Sequence, residues 1–165
     1  MKLLIHDLPP DRMGRSDREG EKLYTISPGT NVHPCVGCFG CWVRTPGACV
    51  LRDDLGDVGR LLAQCSRVSI LSRCCYGGFS PFVKNVLDRS IPYLHPDFVF
   101  KNNEMHHKRR YPNRIALSAW FYGPGLTDQV RRTARDLICA NAVNLDCGVE
   151  GVRFSEKLEP WEDLT

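Results

Sequence analysis

No apolar run in this chain is long enough to cross a membrane or to form a signal-peptide core. The N-terminal one, in MKLLIHDLPPDRM, is broken by His6 and Asp7. That absence points to a cytoplasmic protein with no membrane partner. Nor is either charge in strong excess: 22 Lys and Arg face 19 Asp and Glu, a net charge of +3. The local surplus is confined to KNNEMHHKRRYPNR, Lys101 to Arg114. One short basic run, interleaved with histidines and a tyrosine, lacks the footprint that nucleic-acid binding needs, so it reads as a solvated loop. No internal repeat or low-complexity linker divides the 165 residues. A single domain over 1–165 is therefore expected, with one sheet and its covering helices.

Cysteine is what the chain has in quantity. There are 9, an odd number that argues against a disulfide framework. In a reducing compartment clustered thiols serve metal, cluster or redox chemistry, and the rest pack as small core residues. Cys35, Cys38, Cys41 and Cys49 fall together in HPCVGCFGCWVRTPGACVLRDD, spaced C-x2-C-x2-C-x7-C. Three thiolates at three-residue intervals can wrap one side of a compact inorganic core, and a fourth can close it, as a [4Fe–4S] cluster requires. Zinc usually pairs two knuckles set further apart, although His33 or Cys49 could complete a tetrahedron. The remaining reading is that these thiols bind nothing and line a pocket. Gly37 and Gly40 between them allow the backbone to turn tightly.

Hydrophobic periodicity predicts strands over Lys2–His6, Glu21–Ser27, Arg67–Ser72, Arg114–Trp120 and Val149–Phe154. The polar stretch Asp7–Gly20 has no helical pattern. Helices are expected over Asp53–Cys65, with Asp53 or Asp54 as cap, and from Ser80, where Pro81 takes the first helical position. A third should begin near Thr127 or Asp128 and carry Leu137 and Ile138 on its apolar face. The acidic tail to Thr165 reads as peripheral. Alternating strands and helices imply right-handed crossovers and a parallel sheet, with ligands beyond the carboxyl ends of the strands. The loops to watch are Asp7–Arg12, His33–Arg52, Arg73–Phe79 and Phe121–Gly125. In SRCCYGGFSPFVK, a Gly-Gly turn beside Tyr76 can lay amides against a flat ring, though such turns also serve sterics alone. Cys74 and Cys75 read as packed thiols, since a vicinal disulfide is strained. In SAWFYGPG, Trp120, Phe121 or Tyr122 can flank a planar cofactor or simply belong to core and rim. His95, His106 and His107 read as solvated or structural.

The cysteine loop, Asp53–Asp54, the YGGFS turn and the Lys84, Asp88, Arg89 pattern stand in an order that resembles the flavodoxin-like NAD(P)H-dependent FMN reductases. The four-cysteine spacing resembles their iron–sulfur flavoprotein branch; the likeness is good over Cys35–Pro96 and outline elsewhere. It implies an α/β fold, flavodoxin-like, with an open parallel sheet of about five strands. Helices lie on both faces, the first shortened or absent. It also implies FMN at the carboxyl edge, NAD(P)H as possible electron donor, and a homodimer or higher oligomer. The flavin contacts would be Ser72, Arg73, Cys74, Cys75, Tyr76 and Gly77, flanked by Ala119, Trp120, Phe121, Tyr122 and Gly123. Cys35, Cys38, Cys41 and Cys49 would ligate a [4Fe–4S] cluster. Two departures stand out. Where the family has a Ser/Thr/Asn-rich phosphate loop, this chain has HDLPPDRMGRSD. Asp7 and Asp11 repel a phosphate there, Pro9 and Pro10 lack donors, and Arg12, Arg15 and Ser16 are the available substitutes. Arg73 replaces the proline that usually precedes the flavin-contacting backbone. It would pair with the ring or block its pocket. The expected function is a flavin-dependent oxidoreductase or electron-transfer flavoprotein, with a small electron carrier as possible partner and no general acid or base required. The alternatives are a non-enzymatic relative that has lost FMN and serves as a binding or assembly subunit, or a zinc or thiol protein.

Overall fold

The computed structural model describes residues 1–9 and 22–157. Five parallel strands, β1 (Lys2–His6), β2 (Leu23–Ile26), β3 (Arg67–Arg73), β6 (Ala116–Tyr122) and β7 (Gly148–Ser155), form one sheet in the order β2-β1-β3-β6-β7. The fold is α/β, of flavodoxin-like topology. In β1 Leu3, Leu4, Ile5 and His6 are all buried, as a central strand of a parallel sheet must be. The order reverses between β1 and β3, which opens a crevice at their carboxyl ends.

Helices α2 (Val58–Ala63), α3 (Pro81–Asp88) and α4 (Asp128–Leu145) connect the strands. Their apolar stripes, including Val58, Leu62, Val83, Val86, Ala134, Ile138 and Ala142, pack with Leu3, Ile5, Val68, Ile70, Leu117, Ala119 and Phe121 in one core. Leu4, Leu8 and Leu71 form a smaller cluster on the other face of the sheet. Helices were expected on both faces; the described ones pack on this one. The starts of α3 and α4 follow the expected chemistry: Ser80 Oγ accepts from the Val83 amide at 3.4 Å, and Thr127 Oγ1 from the Val130 amide at 3.3 Å. Residues 10–21 and 158–165, and with them Arg12, Arg15, Ser16, most of the stretch expected to lack a helix and the acidic tail, lie outside the described residues.

Two expectations need correction. Lys101–Arg114 is largely not a loop, because β4 (Leu94–Lys101) and β5 (Glu104–Arg109) pair antiparallel as a hairpin. Asn102 and Asn103 make its two-residue turn with φ of 51° and 63°, left-handed values that asparagine tolerates better than most residues. Asp53 and Asp54 do not cap α2, which starts after Asp57 without a side-chain cap. They tie down the preceding loop instead.

Within that loop a single helical turn, α1 (Gly40–Val43), sets Trp42 over the hairpin, its Nε1 donating to the Leu94 carbonyl at 3.1 Å. The loop is also pinned by α2. A Cβ on Gly59 would lie 2.8 Å from the Gly47 carbonyl oxygen and 2.8 Å from the Pro92 carbonyl carbon. Gly→Ala inside a helix ordinarily gains up to about 1 kcal/mol. Here Gly59→Ala is expected to lose about 1–2 kcal/mol through overpacking against backbone, read as a lower urea midpoint at unchanged slope.

Candidate functional site: a carboxyl-edge crevice and a cysteine loop

The crevice is organised by Asp7, the first residue beyond β1. Its carboxylate accepts from the Arg73 amide at 2.9 and 3.2 Å and from the Tyr122 hydroxyl at 2.9 Å. Three strand ends, β1, β3 and β6, thus share one carboxylate. Burial raises the Tyr122 pKa, and the Asp7 charge raises it further, so the phenol stays protonated and donates.

The loop after β3 is largely self-contained. The Cys74 amide donates to the Tyr122 carbonyl, and Cys75 and Gly78 exchange both backbone hydrogen bonds across a tight turn. Tyr76 and Gly77 form its tip with φ of 54° and 81°. A Cβ on Gly77 would stand 2.8 Å from the Thr133 side chain, so the turn is wedged on α4 and the glycine is required by packing. Burial raises the Cys74 thiol pKa, opposed by a hydrogen bond from the Gly77 amide. Tyr76 projects fully into solvent, and Arg73 is exposed beside it.

Among the expected flavin contacts, Arg73, Tyr76, Tyr122 and Gly123 meet at this rim, with Cys74 and Cys75 half-buried behind it. Others do not reach it. Ser72 is fully buried, its Oγ accepting from the Ser80 amide at 2.9 Å and donating to the Arg73 carbonyl. Ala119 and Phe121 belong to the core, where Phe121 stacks between Phe79 and Phe154. Trp120 packs with the Leu4, Leu8 and Leu71 cluster under the Arg153 guanidinium. The rim thus presents the exposed Tyr76 ring and Arg73, while the Asp7 carboxylate stands in the crevice itself.

After β2 the chain runs along α3, where Asn85 donates to the Val32 carbonyl and Arg89 to the His33 carbonyl, so the cysteine loop lies beside the carboxyl end of α3 and the hairpin rather than at the crevice. All nine cysteines are free thiols, and Cys35 and Cys38 are exposed. Among the described residues no three Cys, His, Asp or Glu side chains converge as a single metal ion would gather them. The four loop thiols are nevertheless neighbours. The Cys41 pKa is raised first by burial and then by Cys49, Cys35 and Cys38. Four mutually repelling soft donors are the chemistry of a thiolate-ligated cluster once a cation core is supplied.

The neck of this loop is a buried ion pair that the sequence shows only as two separate motifs. Asp53 and Arg89 have no exposed side-chain surface and bind through two N–H···O contacts, one at 2.8 Å. The His33 and Leu55 amides also donate to Asp53, and Arg89 donates to the His33 carbonyl at 2.7 Å. Burial alone would raise the Asp53 pKa; the hydrogen bonds from Arg89 and the two amides hold it down at about 2.

Sheet order and switch-point crevice define a flavodoxin-like fold. The comparisons agree. Of solved structures, an azoreductase superposes with a TM-score of 0.57 at 7% identity over 99% of this chain and 92% of that one. The Trp repressor binding protein of Bacillus subtilis superposes with a TM-score of 0.54 at 14% identity, over 99% and 90%. A flavone reductase gives 0.50 at 13% identity, over 94% and 54%. At these identities the likeness is one of fold. In sequence, an iron–sulfur flavoprotein of Archaeoglobus fulgidus is 34% identical over 77 residues, 47% of this chain and 33% of that protein. The chain thus spans about a third of the length of that curated relative. No family model matches the sequence. Over those 77 residues the chain is similar to that iron–sulfur flavoprotein, and its fold is flavodoxin-like. No described helix is long and apolar enough to cross a membrane.

Proposed function

We propose that this chain is a flavin-dependent oxidoreductase or electron-transfer flavoprotein. FMN would lie against Arg73–Gly77 and Tyr122–Gly123, and a [4Fe–4S] cluster on Cys35, Cys38, Cys41 and Cys49. The observations that carry the reading are the switch-point crevice with Arg73 and Tyr76 on its rim and four thiols gathered on one loop of the same chain. FMN, when bound, supplies the hydride and one-electron chemistry. The chain orients the ring through Tyr76, offers the Arg73 cation to its polar end, and keeps a proton on the Tyr122 hydroxyl. Reduced nicotinamide or a small electron carrier is the donor. The residues that would hold the phosphate, Arg12 among them, lie outside the described ones.

Anaerobic purification tests this. The preparation should show flavin absorbance in the visible, about four irons with matching sulfide, and a raised Tm with added FMN. Ligand at about 100 times its Kd stabilises by about 2.7 kcal/mol. A colourless chain that ignores added FMN sinks the flavin assignment. It would favour the second reading, a relative without flavin that serves as a binding or assembly subunit. The observation behind that reading is the Asp7 carboxylate, which ties the Arg73 amide and the Tyr122 hydroxyl together in the crevice.

An oligomer is proposed on the exposed apolar face beside the cysteines. Phe39, Trp42, His107 and Phe98 form a continuous ring stack, with centroids 5.5, 4.7 and 4.7 Å apart. Phe100 and Met105, paired across the hairpin, extend it at 78% and 60% exposure. A contiguous patch of this kind marks an interaction surface, and a second copy of the chain is the proposed cover. Phe100→Glu is expected to give a monomer in sedimentation with little change in Tm; an unaltered oligomer refutes the assignment.

A further inference from the structure

At the end of the sheet opposite the crevice, three cations from three parts of the chain converge on one carboxylate. Asp146 closes α4 with a left-handed φ of 56°. Its Oδ1 accepts from Lys101 Nζ of β4 at 2.7 Å. Its Oδ2 accepts from Arg114 Nη1 at 3.2 Å and lies 3.4 Å from Arg109 Nη1 of β5. The Lys101 hydrogen bond holds the Asp146 carboxyl below the usual carboxylate range against the opposing effect of burial, so it carries a full charge. One carboxylate and the negative end of one helix still leave positive charge in excess. Arg109 Nη1 is buried without a hydrogen bond in good geometry among the described residues. Arg114 has a side chain 74% exposed and spends one nitrogen on Asp146. The neighbouring pair, Arg67 with Glu150 at 3.1 Å, balances itself.

These groups stand at an open cavity of about 640 Å³ between the amino ends of β6 and β7 and the carboxyl end of α4. Lys101, Asn102 and Arg114 supply polar lining, and Ile115, Val143 and Val149 supply apolar lining. Such a volume, mixed in this way, suits a small organic ligand with one charged group. We propose that the cavity binds a phosphate monoester, its phosphate bridging Lys101 and Arg114 and its organic body lying on Ile115, Val143 and Val149. A phosphate dianion supplies the negative charge that Asp146 alone does not, through the charge-assisted bonds that lysine and arginine make best. The site is separate from the crevice. β3 and β6 have seven residues each, so their two ends stand about 20 Å apart, too far for the ligand to exchange electrons directly with a ring at the carboxyl edge.

Adenosine monophosphate is the probe, titrated into the whole chain at constant ionic strength, with adenosine and inorganic phosphate alongside. Binding should be saturable, tighter for the monophosphate than for either of its parts, and accompanied by NMR shifts of the Asn102, Ala116 and Gly148 amides. Arg114→Gln, at an exposed position, should keep the wild-type Tm and weaken the monophosphate about tenfold or more, as loss of a charge-assisted hydrogen bond does. No saturable binding, an affinity no better than that of inorganic phosphate, an unaltered affinity in Arg114→Gln, or shifts confined to Arg73 and Gly77 at the crevice would each overturn the proposal. None of these results depends on whether the chain holds flavin.

Discussion

Asp53→Asn is expected to be the most damaging conservative substitution in the chain, lowering stability by about 3–5 kcal/mol. An asparagine keeps the shape but can accept only one of the His33 and Leu55 amides, which bond different carboxylate oxygens, and it leaves the Arg89 guanidinium buried and uncompensated. The cost exceeds that of the lost attraction because a cation without a counter-charge must be held out of water. For a chain of this size the corresponding fall in Tm is about 10 °C. The sign with pH follows. The Asp53 pKa is depressed from 3.8 to about 2 in the fold. Its contribution is complete above the unfolded value and disappears as pH falls from about 5 towards 2. That depression corresponds to roughly 2–3 kcal/mol at neutral pH. Urea midpoints measured at pH 7 and again near pH 2.5 should therefore converge for wild type and variant. A gap that persists in acid would show that the pair is not the source. Because the pair closes the neck of residues 33–53, the variant should also be cleaved faster by protease in that loop at neutral pH.

The parts of this molecule that were legible in the sequence are those set by neighbours. Ser80-Pro81 and Thr127 announce their helices because a cap is satisfied by an amide three residues on. The strands show because a parallel sheet buries both faces and leaves near-continuous apolar runs such as LLI. What was not legible depends on distant partners. Asp53 stands in the sequence as a helix cap; its real partner is 36 residues further on, in a helix whose Arg89 carries no local sign of burial. Asp7 stands there as an obstacle to phosphate, and nothing nearby reveals Tyr122, 115 residues away, or the Arg73 amide. The hairpin had a local signal, Asn102-Asn103 between two alternating runs, but its charges and histidines masked the period-two pattern. The aromatic triple at the end of β6 shows the limit of composition. Trp120, Phe121 and Tyr122 alternate across the sheet, so Phe121 fills the core while the other two face the opposite side.

Asp7→Asn is expected to tighten FMN binding by about thirtyfold while changing riboflavin binding much less. The carboxylate sits just beyond β1, where the resemblance puts the phosphate-holding segment, and it brings a negative charge to the crevice. At about 7 Å and an effective dielectric constant of about 40, a carboxylate repels a phosphate dianion by about 2 kcal/mol, and asparagine removes that term. Asparagine's side-chain carbonyl can still accept from the Arg73 amide and the Tyr122 hydroxyl, so the three strand ends stay joined. Titration of both ligands against both proteins, followed by flavin fluorescence, separates charge from shape. An equal gain for FMN and riboflavin would mean that Asp7 blocks the ring by occupancy; no gain for either would place the flavin elsewhere. The screened charge interaction should also fade with salt, so the advantage of the variant for FMN shrinks as ionic strength rises from about 0.01 to 1 M. The ratio of the FMN and riboflavin affinities, compared between the two proteins, measures the charge contribution of Asp7 alone.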